Sequence, residues 1–128
     1  MDSLTRQWVE RAEYDLKSIS HVLKGGRYLY VAFMCQQSLE KMLKAVVASH
    51  GKAPPFVHNL VRLAQDAQCY DEMSEEFRVL LADLNPYYIK ARYGEYKQAL
   101  SKVCTGLKAK FFFKKTQELS KWLKQKIK

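Results

Sequence analysis

Arg92 and Tyr93 stand in the run NPYYIKARYGEYKQAL, residues 85–100, shortly after Pro86 and two further tyrosines, Tyr87 and Tyr88. A guanidinium beside phenols is suited to an anionic ligand, because it forks onto phosphate oxygens while a neighbouring ring stacks or offers its hydroxyl. The same residue types have a plainer use. Tyrosines at a helix break often plug a bundle end, ring inside and hydroxyl outside.

A second polar set lies in YVAFMCQQSLEKMLKAVV, residues 30–47. At about 100° per residue, Tyr30, Phe33, Gln37, Glu40, Lys41 and Lys44 share the side of a helix turned away from Leu39 and Leu43. Read blandly, this is a solvated face on which Glu40 and Lys44 form an i,i+4 pair worth a few tenths of a kcal/mol. Tyr30 and Phe33 would then be exposed in a monomer, and an aromatic patch rimmed by charge suits a contact between two copies of the chain. A helical homodimer is therefore expected.

His58 precedes the segment NLVRLAQDAQ, where it can reach a cleft or merely satisfy backbone groups. His21 lies on the first helix and His50 at a helix end, where the macrodipole suits it. The three show no metal-ligand spacing, and the chain has neither a glycine-rich phosphate loop nor a G-x-S-x-G turn, so no metal or resident cofactor is expected.

These residues need elements to position them. Trp8, Ala12, Leu16, Ile19 and Leu23 recur at spacings of three and four and predict a helix over 4–24, ended by Gly25 and Gly26. Ala32, Cys35, Leu39, Leu43 and Val46 predict a second over 28–50, with Gly51 beyond it and the prolines of KAPPF forming a loop. A short helix carries Leu60, Leu63 and Ala64 inward, and another runs from Ser74, its N-cap, to Leu84 with Phe77, Leu80 and Leu81. Pro86 kinks or ends it. After a short helical piece from Gln98, a final helix places Leu107, Phe111, Phe112, Leu119, Trp122, Leu123 and Ile127 on one broad stripe. The expected fold is all-α: an antiparallel up-and-down four-helix bundle with one additional short helix, in a single domain over 1–128.

Composition narrows the function classes. The net charge of +9 is concentrated in residues 97–128, where ten lysines face one acid, Glu118, while residues 1–96 balance to neutrality. A lysine-rich end can meet nucleic acid or an acidic partner, or simply keep an amphipathic helix in solution. Cys35, Cys69 and Cys104 are odd in number and widely spaced, which argues against a disulfide framework and for a reducing cytoplasm. No stretch approaches eighteen apolar residues, and the charged N-terminus has no export signal, so neither membrane insertion nor secretion is expected.

In order and spacing, RAEYDLKSI, YVAFMCQQSLEKMLKAVV, Gly51, a proline loop, HNLVRLA and YYIKARYGE together resemble the HEPN family over residues 4–127. Only the stretch from Tyr96 to Lys110 is longer than the pattern would have it. The resemblance implies a homodimer with a polar cleft near its axis, a nucleotide or RNA ligand, and in many members a nucleotidyltransferase partner in a toxin–antitoxin pair. It also implies that Asp15 faces the second helix and orders Lys41 or Lys44.

Ribonuclease members carry a histidine separated from the arginine by four to six residues, and metal-independent cleavage needs that imidazole beside the guanidinium. Here Lys97, Gln98 and Ala99 occupy those positions. The expectation is a non-catalytic binding module in which Arg92, Tyr93, Lys41, Lys44, His58, Gln37 and Glu40 surround a ligand such as ATP, GTP or RNA. Two alternatives stand: a ribonuclease toxin using His58 as its base, and a generic nucleic-acid binder acting through the lysine-rich last helix.

Overall fold

The structure, a computed structural model, describes residues 1–90 and 101–128, with side chains for all of these except 89 and 90. Arg92 and Tyr93, and the helical start expected at Gln98, lie outside the described residues.

Helix α1 (Ser3–Lys24) begins where the Asp2 carboxylate accepts from the Thr5 N–H at 2.8 Å, and it stops at Gly25. Gly26 follows with φ +73°, a left-handed turn that a side chain would resist, and the chain reverses into α2 (Tyr28–Ser49). Gly51 ends α2 in the same way, with φ +80°. The loop through Pro54 and Pro55 leads to α3 (Leu60–Asp66), capped by Asn59 through the Arg62 N–H. A single 3-10 turn, Tyr70–Glu72, precedes α4 (Glu75–Leu84), where Ser74 accepts from the Phe77 N–H and so is the N-cap expected of it. Pro86 ends α4, and α5 (Tyr87–Lys90) starts directly after it. The last helix, α6 (Gly106–Lys124), is capped by Thr105 through the Lys108 N–H.

The described residues are helical or irregular, with no strand among them, and α1, α2, α4 and α6 form the bundle with α3 as the short addition. No helix among them is long and apolar enough to cross a membrane.

Helix α2 is the centre of the structure. It packs against α1, α3, α4, α5 and α6, and fifteen of its 22 residues are buried, too many for a helix with one solvated face. Ala32, Cys35, Leu39, Leu43 and Val46 lie in the core as their spacing predicts, and Ser38 Oγ donates to the Ala12 carbonyl at 2.9 Å where α1 and α2 approach closely.

Two readings of helix faces are corrected. Glu40 and Lys44 do not lie on a solvated face: their side chains are only 7% and 6% exposed, because α1 and the loop before α3 close over that side of α2. On α6, Leu107 and Phe111 stand 82% and 52% exposed, outside the apolar stripe, while Ala109, Phe112, Thr116, Leu119, Ser120 and Leu123 point inward. The buried stripe is narrower than seven large apolar residues suggest. Small residues at 109, 116 and 120 let the helix sit close to its neighbours.

Candidate functional site

The polar residues of α2 converge on one carboxylate. Glu40 Oε2 accepts from Lys44 Nζ at 3.2 Å, one turn further along the helix. Its Oε1 accepts from Gln36 Nε2 at 3.2 Å and lies 3.0 Å from His58 Nδ1. Gln36 also donates to the His58 backbone carbonyl at 2.9 Å and accepts from Gln37 Nε2 at 2.7 Å, so the loop carrying the imidazole is tied to α2 at two points. A carboxylate already paired with an ammonium has no hydrogen to give, which assigns a proton to Nδ1 and, in the neutral ring, the lone pair to Nε2.

One face of that ring is also fixed. Tyr88 stacks on His58 with centroids 3.7 Å apart and planes 19° from parallel. Asn85, at the end of α4, positions the region from below: its Oδ1 accepts from the Leu60 N–H at 2.7 Å, and its amide donates to Asn59 at 3.3 Å. The imidazole remains 42% exposed while Glu40 and Lys44 are buried, so the cluster opens to solvent through His58.

Burying a Glu–Lys pair costs several kcal/mol per ion unless the remaining donors and acceptors are satisfied. Here Gln36 and His58 supply further donors to the acid, and the Lys44 ammonium lies 5.4 Å from the Trp8 ring centre, with the Arg11 guanidinium 5.3 Å from the same ring.

Lys41 goes elsewhere. It pairs with Asp15 of α1 at 2.5 Å, beside a shallow hollow lined by Gln7, Glu10, Arg11 and Tyr14. The acid on α1 therefore orders a lysine of α2, and of the two named by the resemblance it is Lys41. Of the expected site residues, the structure brings Gln37, Glu40, Lys44 and His58 into one network and keeps Lys41 apart from it.

Gln36 was missed by sequence reasoning, since it reads as one more residue of the buried face. Its signal was the choice of a glutamine one turn before an acid on a helix otherwise rich in apolar residues.

The tyrosines divide between the two uses open to them. Tyr87 is a plug: its ring is buried edge-on to Phe112 at 5.8 Å, and burial pushes its phenol well above the ordinary value. Tyr88 is the stacking partner of the imidazole.

The lysine-rich helix is partly neutralised from within. Lys115 binds Glu76 and Glu118, Lys124 binds Glu13, and Lys126 binds Glu72. Lys110, Lys114 and Lys121 stand exposed on α6. The three thiols are buried, and loss of solvent pushes Cys35 up to about 12 and Cys69 to about 11, so neither is a ready nucleophile near neutrality.

A helical bundle around one central helix, with a buried acid and lysine tied to a half-exposed histidine, defines a small all-α domain with a built polar site. The chain belongs to the HEPN domain family, whose model matches residues 5–127. It is similar in fold to the crystal structure of TT1696 from Thermus thermophilus, with a TM-score of 0.81 and 24% identity over 95% of this chain and 97% of that one. A search of curated proteins returned no significant match.

Proposed function

We propose that the protein is a HEPN-type binding module for a nucleotide or RNA, acting as a homodimer and in concert with a nucleotidyltransferase partner rather than by cutting its ligand. The observation that carries this reading is the half-exposed His58, locked by Glu40 on one edge and by Tyr88 on one face. A domain that spends a buried ion pair on orienting one surface ring has a use for that ring. Tyr88 is followed four residues later by Arg92, which in this reading clamps phosphate, with Tyr93 beside it for the base or sugar. Homodimerisation is supported by the exposed Tyr30, which with Val22, Arg27, Phe33 and Met34 lines an apolar surface hollow.

Isothermal titration with ATP, GTP and a short RNA, on wild type and Arg92→Ala, tests the reading. Saturable binding of at least one ligand by wild type, weakened at least tenfold in the variant, is the expected result. Heat signals indistinguishable from buffer for all three ligands would sink it.

A second reading, a metal-independent ribonuclease, is favoured by one observation. An imidazole held at Nδ1 by a carboxylate presents Nε2 as a proton acceptor. RNA cleavage abolished by both His58→Ala and Arg92→Ala would establish it over the binding-only reading.

A further inference from the structure

We propose that His58 is a proton-switched contact for a phosphodiester, so that an RNA phosphate and a proton bind to its Nε2 edge together. The proposal deepens the RNA-binding reading and rests on it.

The switch follows from the way the ring is held. Nδ1 is committed to Glu40, so any change of protonation occurs at Nε2, on a side chain that is 42% exposed. In the neutral ring Nε2 is an acceptor and repels a phosphate oxygen, which has only lone pairs to offer. In the protonated ring it is an N–H donor carrying positive charge, the group that forms the stronger class of hydrogen bond to phosphate. Histidine is the side chain that makes this change between about pH 5 and 8.

The surroundings determine the sign. From α2 the ring meets Glu40, with Lys44 behind it, and these two charges cancel. Among the described side chains of α5 it meets the phenol of Tyr88. Asn59 and Asn85 beside it are neutral, and the charged residues of α3, Arg62 and Asp66, are drawn to each other at 3.8 Å. On the α1 side the Trp8 ring stands next to Lys44, with Arg11 beyond. A proton added to His58 therefore leaves the group of Glu40, Lys44 and His58 with one net positive charge, on the most exposed of the three. Tyr88 holds the ring in place while this happens, so the donor appears at a fixed position.

Oligouridylate is the appropriate probe, because its phosphodiesters keep one charge each across the whole range. Fluorescence anisotropy at pH 6 and pH 8, at constant ionic strength, should show wild-type binding about tenfold tighter at pH 6, the factor one charge-assisted hydrogen bond supplies. His58→Ala should bind at both pH values as wild type does at pH 8. His58→Arg, permanently charged, should bind tightly at both and restore the contact without the pH dependence. Thermal melts confirm that each variant is folded. A pH dependence that survives in His58→Ala, or is absent from wild type while binding persists, overturns this proposal alone. Absence of wild-type binding at both pH values overturns the RNA-binding reading and this proposal with it.

Discussion

Glu40 and His58, eighteen residues apart in the chain, meet at 3.0 Å with the acid buried and the imidazole half in water. The acid is held in turn by Lys44, so the outer ring is positioned by an ion pair inside the bundle. Stability and site geometry therefore share residues.

Glu40→Ala should cost about 3–5 kcal/mol in urea denaturation, because it strands the Lys44 ammonium where water cannot reach it. Adding Lys44→Met should recover most of that loss. If the double variant is as unstable as the single one, an unpaired buried charge is not the cause.

Asp15→Ala should be milder, about 1 kcal/mol or less, since Asp15 and Lys41 both retain some contact with solvent. The loss should shrink when the measurement is repeated in high salt. A salt-independent loss of several kcal/mol would mean that Asp15 supports packing rather than charge.

On α6, Phe112→Ala should cost about 3–5 kcal/mol by opening a cavity beneath Tyr87. Leu107→Ala and Phe111→Ala should each change stability by about 0.5 kcal/mol or less, given their exposure. Equal losses at all three positions in thermal or chemical denaturation would restore the wider stripe.

The buried thiols make stability fall at alkaline pH. Cys35 has an ordinary value of 9.0 and is pushed by burial to about 12, so between these values the unfolded chain sheds a proton that the folded chain keeps. The contribution is whole below pH 9 and is lost as pH rises toward 12, with a slope of about 1.4 kcal/mol per pH unit for the thiol. Cys69 adds to it up to about 11. Urea midpoints at pH 8, 9.5 and 10.5 should decline in wild type and decline less in Cys35→Ala. Parallel declines would assign the effect to other groups.

Much of the architecture was legible because it is local. Gly25 and Gly26 end α1, Ser74 caps α4, and Pro86 divides α4 from α5, each through a backbone property of that residue type. The core face of α2 was legible for the same reason, since a 3.6-residue period aligns Ala32, Cys35, Leu39, Leu43 and Val46 whatever packs on them. The other face of α2 was not. Periodicity says which residues share a side, but it does not say whether a second element covers that side.

The amino-acid sequence by itself determined α1 to α4 and α6, most of their ends and the family, because caps, turns and apolar spacing act within one or two turns of chain. Only the tertiary structure decided that Glu40 and Lys44 are interior and that His58 is their outlet to solvent. That outcome depends on a loop eighteen residues away folding back over α2, and on α1 closing the same side. Such contacts are set by the summed packing of the whole bundle, and a single helix carries no record of them.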